Sequence, residues 1–248
     1  MAVTPRTEKR VCLLTGAGGT LGTDFCRRYA ERFQIVAVCG KRGVQTSTQH
    51  RRFIDPLAPG DRGADPDDAV YEIHANLLRG EEIARTVELT LARFGRIDLI
   101  VNAIGQAKWA SIVSSRTLTA TADEQFQVNA LVPLRVAAEV VDQFWRDSAD
   151  ENRRRNRCVV NVSSTSGLYV IPGRGQSVYG ASKAALNMLS CHMADEFAPF
   201  GVRVNVLAPD SFPGVVATGA VAEAVVELAD GELTGQILSL DRHGARMI

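Results

Sequence analysis

Short runs of aliphatic and β-branched residues alternate with stretches of helical periodicity along the 248 residues of the chain. Strand–helix alternation with strands that are apolar at nearly every position predicts a parallel sheet covered by helices on both faces. The predicted strands are Val11–Leu14, Ile35–Cys39, Ala69–His74, Ile97–Val101, Cys158–Val162, Arg203–Leu207 and Ile237–Leu240. We therefore expect a doubly wound α/β fold in a single domain, residues 1–248, without a linker or an internal repeat.

Apolar residues at helical spacing mark the segments between these strands. The predicted helices are Leu21–Phe33, Gly80–Phe94, Thr121–Trp145, Val178–Phe197 and Val216–Leu228. Gly95 is predicted to end the second helix, and Thr121 with Glu124 resembles a capping box that opens the third. Two polar insertions, Lys41–Asp68 and Ser148–Arg157, are predicted to be loops, and the arginines at 153–157 are expected to be solvated.

Charge and composition indicate an ordinary globular protein and argue against several other classes. With 46% hydrophobic residues, the chain has ample apolar material for a core. Its 28 basic and 28 acidic side chains balance, so no general affinity for nucleic acid or anionic membranes is expected. Neither a bilayer-spanning run of about 20 apolar residues nor a signal peptide is present in the sequence. The five cysteines have no C-x-x-C spacing, which predicts buried free thiols in a reducing cytoplasm. No metal site is expected, because the histidines (His50, His74, His192 and His243) lack ligand spacing, and they are assigned no role.

A glycine-rich segment, Thr15–Gly22, lies between the first predicted strand and the first predicted helix. Glycines at this position let backbone N–H groups approach a pyrophosphate, and the helix N-terminus supplies positive potential. A glycine cluster alone is weak evidence, but within a strand–helix–strand unit it predicts dinucleotide binding.

Tyr179 and Lys183 are four residues apart, so on a helix both side chains project from one face. An ammonium beside a phenol favours the phenolate and lowers the phenol pKa from about 10 towards neutrality. Such a tyrosine can act as a general acid or base. An isolated pair of this kind is more often a surface pair, and the other motifs decide between the two interpretations.

Together these motifs resemble the short-chain dehydrogenase/reductase family, in its compact subgroup of about 250 residues. Thr15–Gly22 resembles the family's T-G-x-x-x-G-x-G loop, and Asp98–Gly105 its D-x-L-V-N-N-A-G strand. Val160–Gly167 is similar to its serine motif, Tyr179–Lys183 to its Y-x-x-x-K motif and Leu207–Pro209 to the segment after strand six. The resemblance implies a Rossmann fold with a mostly parallel seven-stranded sheet in the order 3-2-1-4-5-6-7.

The resemblance also implies catalytic roles for Asn129, Ser164, Tyr179 and Lys183. Tyr179 would protonate a carbonyl oxygen, and Ser164 would donate a hydrogen bond to the same oxygen. Lys183 would lower the Tyr179 pKa and bind the nicotinamide ribose, and Asn129 would hold a water in a proton path. Ser163 and Ser166 are the alternatives to Ser164.

A nicotinamide dinucleotide is the implied cofactor. The second strand ends with two cations, Lys41 and Arg42, and no acidic residue, which favours NADP(H) over NAD(H) because cations attract a 2′-phosphate. The implied cofactor residues are Gly16, Gly18, Gly19, Thr20, Leu21, Gly22, Lys41, Arg42, Asn76, Leu77, Asn102, Ala103, Gly105, Tyr179, Lys183 and Pro209.

The chain departs from the family pattern at several positions. Thr20 replaces a glycine, Ala103 replaces an asparagine, and Asn76 replaces the usual aspartate. Only residues 210–218 stand where the family has a long substrate loop, and Asp210 replaces a glycine. These departures predict an open substrate site, or one that is completed by another subunit or by Lys41–Asp68.

The sequence therefore predicts an NADPH-dependent ketoreductase that acts on a small ketone or secondary alcohol in the cytoplasm. By resemblance, helices Thr121–Trp145 and Val178–Phe197 are expected to form the interface of a homodimer or homotetramer. One alternative is a catalytically idle NADP(H)-binding sensor or scaffold, and another is an NAD-linked alcohol dehydrogenase. The residues that shape the substrate pocket are expected in the short loop at 210–218 and in the segments around Gln106–Ser111 and Leu168–Gln176.

Overall fold

The computed structural model describes residues 8–46, 50–60, 69–113 and 115–248. Nine strands form one sheet in the order β3-β4-β2-β1-β5-β6-β7-β8-β9. The strands are β1 (Arg10–Thr15), β2 (Phe33–Cys39), β3 (Arg51–Phe53), β4 (Val70–His74), β5 (Leu99–Asn102), β6 (Cys158–Val162), β7 (Arg203–Pro209), β8 (Ile237–Asp241) and β9 (Gly244–Met247). All neighbouring pairs are parallel except β8 and β9.

Helices cover both faces of this sheet. They are α1 (Thr20–Tyr29), α2 (Gly80–Phe94), α3 (Ser115–Phe126), α4 (Val132–Val140), α5 (Ala149–Arg154), α6 (Ser177–Phe197) and α7 (Thr218–Asp230). Alternate residues of each central strand point to opposite faces, so Leu14 packs in one apolar cluster and Leu13 in the other. None of the helices in the described ranges is both long enough and apolar enough to cross a bilayer.

The predicted α/β class and the predicted order of the seven central strands are confirmed, and two edge strands are added. One of them, β3, lies inside Lys41–Asp68, so the prediction of a loop there was wrong. This strand has only three residues and carries two arginines, so it shows no apolar alternation in the sequence. It is formed by parallel pairing with β4, in which Arg51 lies opposite Val70. Residues 61–68 of the same insertion lie outside the described residues.

The prediction of a loop at Ser148–Arg157 was also wrong, because this segment contains α5. Its last arginine, Arg157, is 2% exposed rather than solvated. The Arg157 guanidinium donates to Asp98 Oδ1 at 3.2 Å and lies over the Phe144 ring, 4.5 Å from its centroid. A guanidinium with a carboxylate partner and an aromatic face can be buried at tolerable cost.

The long helical run predicted from Thr121 begins six residues earlier, at Ser115, so the predicted capping box at Thr121 lies inside a helix. The run continues through one turn of π-helix (Gln127–Leu131), α4 and a second π turn (Val141–Trp145). Pro133 has no N–H to donate to the carbonyl of residue 129, which removes one α-helical bond at the first π turn. Val132 N–H instead donates to the Gln127 carbonyl, five residues back.

The remaining helices follow the predicted segments to within a few residues at either end. Gly95 has a φ of 70° and ends α2 in the left-handed conformation, as the sequence predicted. Cys12, Cys39 and Cys158 lie buried in strands as free thiols, and Cys26 is buried on α1.

Candidate active site

The glycine-rich loop connects β1 to α1 at the carboxyl edge of the sheet, and its glycines are required by close packing. A Cβ on Gly16, which has a φ of 70°, would lie 2.7 Å from the Ala103 carbonyl. A Cβ on Gly18 would overlap the backbone carbonyl of Arg42, and one on Gly22 would lie 2.5 Å from Ala17 Cα. The loop is thus packed against the segments that follow β2 and β5.

The N-terminus of α1 fits the pyrophosphate of a dinucleotide. Gly19 is its N-cap and supplies no side-chain cap, and the first turn holds no acidic residue. The N–H groups that open a helix lack intrahelical acceptors, and the helix dipole places positive potential there. These groups belong to Thr20, Leu21 and Gly22, which the sequence predicted as cofactor residues.

A cleft of about 750 Å³ opens beside this loop, a volume in the range of ligand sites. The predicted cofactor residues among its walls are Gly16, Gly18, Gly19, Lys41, Arg42, Asn76, Leu77, Ala103 and Gly105. Pro209 is the last residue of β7 and is not among these walls. The structure therefore brings together most of the predicted cofactor set along one side of the sheet edge.

The far end of the cleft carries two exposed cations. Lys41 and Arg42 follow β2, and neither forms an ion pair with another residue in the described part of the chain. In the neighbouring segment after β4, the Asn76 N–H donates to Glu82 Oε2 at 2.6 Å, and both residues line the cleft. The cleft thus has basic side chains at one position and an acidic one at another.

Below the cleft, Asn102 belongs to a buried polar chain rather than to its surface. Asn102 accepts a hydrogen bond from Thr15 Oγ1 at 3.1 Å and donates to Asn161 Oδ1 at 2.8 Å. Asn161 donates in turn to Ser190 Oγ at 2.8 Å, and all four residues are almost completely buried. Asn161 and Ser190 were missed by the sequence analysis, although an asparagine inside an otherwise apolar strand was a usable signal.

Asn129 lies on the first π turn and is fully buried. Its Nδ2 donates to the Gln106 carbonyl and to Ser182 Oγ, each at 2.9 Å, and its Oδ1 accepts from the Gln106 N–H at 2.7 Å. Both amide hydrogens are therefore used within the protein. The side chain fixes the segment after β5 against α6, and Gln106 and Ser182 are further site residues that the sequence analysis missed.

Ser164 is the serine that meets the tyrosine. Burial raises the pKa of Tyr179, and a hydrogen bond with Ser164 lowers it in part. Ser163 donates instead to the Lys183 carbonyl at 3.3 Å, and Ser166 donates to Gln176 Oε1 at 3.0 Å. The geometry favours Ser164 over both alternatives because their hydroxyls have other partners.

Lys183 lies one helical turn after Tyr179 on α6 and is 3% exposed. Its Nζ donates to the Val162 carbonyl at 2.8 Å, and burial lowers the pKa of Lys183 to about 8. The sequence analysis expected Lys183 to lower the Tyr179 pKa, whereas the structure shows a raised Tyr179 pKa in which burial is the largest cause. Desolvation of the phenol is the physical reason for this difference.

Two of the predicted catalytic residues approach the cleft at Gly105. A Cβ at Gly105 would lie 3.7 Å from both Asn129 Oδ1 and Lys183 Nζ. Lys183 and Tyr179, which were also predicted to bind the cofactor, are not themselves among the walls of the cleft. Among the residues that the structure describes, no group of three or more His, Cys, Asp or Glu side chains is arranged to hold a metal ion.

A second cleft of about 790 Å³ is lined by two of the three segments that were predicted to shape the substrate pocket, Gln106–Ser111 and Leu168–Gln176, whereas the short loop at 210–218 is not among its walls. The segments are joined by a hydrogen bond from the Ala110 N–H to the Gly175 carbonyl at 2.9 Å. The walls include Trp109, Ile112 and Val170, which are 56%, 68% and 92% exposed. As predicted, the connection from β7 to α7 contains no helix, and it spans residues 210–217.

Comparison with known proteins places this site in a family. The short chain dehydrogenase family model matches residues 10–227. A 3-oxoacyl-(acyl-carrier-protein) reductase of Thermotoga maritima is 30% identical over 204 residues, which cover 82% of this chain and 74% of that protein. The peroxisomal multifunctional enzyme type 2 of Mus musculus is 30% identical over 218 residues, which cover 85% of this chain but only 27% of that longer protein.

Solved structures share the fold. The RhlG/NADP active-site complex of Pseudomonas aeruginosa has a TM-score of 0.73 and 20% identity, and it covers 94% of this chain and 95% of that one. An NADH-dependent reductase complexed with NAD has a TM-score of 0.72 and 21% identity, and it covers 95% and 96%. With the family match over residues 10–227, the chain belongs to the short-chain dehydrogenase family and is an oxidoreductase of alcohol and carbonyl groups that uses a nicotinamide cofactor.

Proposed function

We propose that the protein is an NADP(H)-dependent carbonyl reductase that converts a ketone of a small molecule into a secondary alcohol. The observation that carries this proposal is the hydrogen-bonded pair of Tyr179 and Ser164, with Lys183 in the next helical turn and next to Gly105 of the cofactor cleft. The name of the Thermotoga reductase, which refers to a 3-oxo group, agrees with a carbonyl substrate.

The chain's own residues supply positioning and proton transfer. A bound nicotinamide supplies hydride to the carbonyl carbon. Ser164 donates a hydrogen bond to the carbonyl oxygen, where negative charge develops, and Tyr179 transfers its phenolic proton to that oxygen. Lys183 holds the ribose of the cofactor and, through it, the ring's orientation.

The proposed use of NADP(H), which cells generally keep reduced, supports reduction as the working direction. Burial raises the pKa of Tyr179, so the phenol is protonated at neutral pH but is a weaker acid than an exposed tyrosine. Proton transfer therefore depends on a charge that stabilises the phenolate. The fully buried Lys183, whose pKa is lowered to about 8, still carries its charge at neutral pH and would stabilise the phenolate after proton transfer.

The proposed preference for NADP(H) rests on Lys41 and Arg42. Both are exposed cations on the cleft wall after β2, where no carboxylate follows the strand to repel a 2′-phosphate. The solved relatives include complexes with either cofactor, so the charges at this position are the basis for the choice.

The substrate is proposed to enter the second cleft. Its walls are rich in apolar side chains and include Ser166 and Gly167, which lie two and three residues after Ser164 in the chain. The short connection at 210–217 leaves this region without a helical lid. A substrate with an apolar body attached to the ketone would suit such a site.

The site also supports proposals about assembly and location. On α6, Ala181, Ala184 and Met188 are spaced along one exposed face of the helix, and Met188 is 62% exposed. We propose a homodimer or homotetramer through this face, in the cytoplasm. Light scattering on the purified chain tests the assembly, and a monomer at micromolar concentration would contradict it.

Turnover of NADPH with a panel of apolar ketones tests the proposed activity, with Tyr179→Phe as the diagnostic variant. We expect Tyr179→Phe to lower kcat by at least about a hundredfold, because the proton donor is lost, while NADPH affinity changes less than about twofold. Tyr29→Phe, on the far side of the sheet, serves as the control and should retain full activity. Tight NADPH binding without any turnover in the unaltered protein would favour the idle binding protein instead.

A further inference from the structure

A buried carboxylate lies under the segment that carries the two cations of the cofactor cleft. Glu72, on β4, is 2% exposed. Arg51 of β3 binds Glu72 Oε2 through Nε at 2.8 Å and through Nη2 at 2.7 Å. A Cβ on Gly43 would overlap Glu72 Oε1, so the segment Gly40–Val44 rests directly on the carboxylate.

His74, two residues further along β4, connects this carboxylate to the same segment. Its Nδ1 lies 2.8 Å from the Gly40 carbonyl, and its Nε2 lies 2.8 Å from Glu72 Oε1. The second contact is bent away from ideal hydrogen-bond geometry, so it is an ion-pair contact, and Oε1 has no aligned hydrogen-bond donor among the described residues. Both partners are acceptors only. The imidazolium can donate to the Gly40 carbonyl and attract the Glu72 carboxylate by its charge, whereas a neutral ring turns the lone pair of one nitrogen towards an acceptor.

The segment Gly40–Val44 is held at three positions. His74 contacts the Gly40 carbonyl, the carbonyl of Arg42 packs on Gly18, and Gly43 rests on Glu72. Lys41 and Arg42 lie between these contacts. Their backbone position therefore depends on His74 and Glu72, which lie outside the residues that the sequence analysis assigned to the cofactor.

We propose that protonated His74 is a positioning residue that determines specificity for a 2′-phosphorylated nucleotide. It bridges Gly40 and Glu72, holds Lys41 and Arg42 towards the cleft, and adds a positive charge on the cleft wall. NADPH affinity then falls as the pH rises through the titration of this imidazole. This inference rests on the proposed use of NADP(H).

The charges around His74 agree with this role. Arg51 already neutralises one charge of Glu72, so protonation of His74 leaves a net positive charge facing the cleft. Burial and the neighbouring Glu72 raise the pKa of Cys39 to about 12, so this thiol stays neutral over the range of interest. The titratable and charged groups near His74 are Cys26 on α1, Cys39 on β2, Lys41 and Arg42 after β2, Arg51 on β3, Glu72 on β4 and Glu82 on α2. Glu82 is paired with Arg79 at 3.6 Å, so it adds no unpaired negative charge beside His74.

The sign of the pH dependence follows from proton linkage. A phosphate dianion in the cleft favours the charged imidazole, so binding takes up a proton and affinity is lost as the pH rises. The 2′-phosphate itself gains its second negative charge near pH 6, which acts in the opposite direction. In a variant without the imidazole, NADPH affinity still changes with pH as the 2′-phosphate titrates, but not through His74. The ratio of NADPH affinity in the unaltered chain to that in the variant therefore reports on His74 alone.

Calorimetric titration of NADPH, NADH and 2′,5′-ADP from about pH 5.5 to about pH 8.5 tests the proposal. The proteins are the unaltered chain, His74→Ala, His74→Gln and the control His192→Ala, whose imidazole is exposed on α6. We expect the unaltered chain to bind NADPH and 2′,5′-ADP about fivefold more tightly than His74→Ala near pH 6 and equally near pH 8.5. NADH affinity should change less than about twofold, because it lacks the 2′-phosphate. His74→Gln should retain part of the affinity at all pH values without the histidine-dependent slope, because its amide can still donate to Gly40.

An NMR titration of the His74 ring gives a readout that is independent of nucleotide turnover. Saturation with 2′,5′-ADP should move the titration midpoint of the His74 ring upward, because the phosphate favours the charged imidazole. An affinity ratio between the unaltered chain and His74→Ala that does not change with pH, or a midpoint that 2′,5′-ADP leaves unchanged, would overturn the role of His74 while leaving the proposed function intact. Failure of the unaltered chain to prefer NADPH at any pH would overturn both proposals.

Discussion

Lys183 donates a hydrogen bond from its buried ammonium to the Val162 carbonyl, 2.8 Å away at the carboxyl end of β6. This contact joins α6 to the central sheet and places Nζ beside Gly105, at the inner end of the cofactor cleft. The ammonium is almost completely removed from water, and burial lowers its pKa to about 8. The cation that we propose to act in catalysis is therefore kept in a position that lowers the stability of the folded state.

The first prediction concerns that cost. Because the folded pKa of Lys183 is about 8 and the unfolded value is near the ordinary value, the unfolded chain binds more protons between these two pH values. Stability should therefore rise as the pH increases from about 8 towards about 10.4, the ordinary lysine pKa. Lys183→Met should raise the free energy of unfolding at pH 7 by roughly 1 to 3 kcal/mol, and this gain should shrink over the same interval while turnover is lost.

Urea denaturation at a series of pH values measures this effect. Lys108→Met is the matched control, since Lys108 is 45% exposed and paired with Glu124 at 2.9 Å. We expect it to change the free energy of unfolding by less than about 1 kcal/mol. A Lys183→Met variant that is less stable than the unaltered chain at pH 7 would show that the Val162 hydrogen bond outweighs the desolvation of the ammonium.

The second prediction separates the serines of the loop after β6. Ser164→Ala should lower kcat by about a hundredfold or more, because a donor to the developing oxyanion is lost. It also removes the hydrogen bond that lowers the Tyr179 pKa, so the alkaline limb of the reduction profile should move to higher pH. Ser166→Ala leaves Tyr179 untouched, and its activity should stay within about threefold of the unaltered enzyme. Equal losses in the two variants would contradict this assignment.

The third prediction concerns Arg42. Removing a guanidinium that binds the 2′-phosphate should weaken NADPH binding by about tenfold, and NADH binding should change less than about twofold. Fluorescence titration of Arg42→Ala with both nucleotides measures the difference. Arg27→Ala, in the last turn of α1 and away from the cleft, is the control. If Arg42→Ala weakens both nucleotides equally, the arginine acts on the shared part of the cofactor and the NADP(H) preference has another source.

The fourth prediction concerns the buried polar chain below the cleft. Asn161→Ala should lower the free energy of unfolding by about 2 to 3 kcal/mol, because Asn102 and Ser190 each lose a buried partner. Gln143→Ala, which removes only a helix-surface hydrogen bond to Glu139, should cost less than about 1 kcal/mol. Chemical denaturation of both variants measures the difference. A loss below about 1 kcal/mol for Asn161→Ala would mean that water can replace the missing amide.

Local sequence patterns were sufficient to predict the central strands and most of the helices. The seven central strands are apolar at most positions, and the left-handed end of α2 follows from Gly95 alone. The elements that were missed are those whose formation depends on partners elsewhere in the chain. Strand β3 exists because Arg51–Phe53 pairs with β4, and Arg157 is buried because Asp98 and Phe144 receive its guanidinium.

By itself the sequence determined the doubly wound fold, the glycine-rich turn before α1 and the spacing of Tyr179 and Lys183, because each depends on residues close together in the chain. Only the tertiary structure decided that Ser164 rather than Ser163 meets Tyr179, that burial raises the Tyr179 pKa, and that His74 and Glu72 hold the segment with Arg42. Hydrogen-bond partners and desolvation are set by residues that are distant in sequence and meet only when the sheet is assembled. The spacing of residues along the chain holds no information about those contacts.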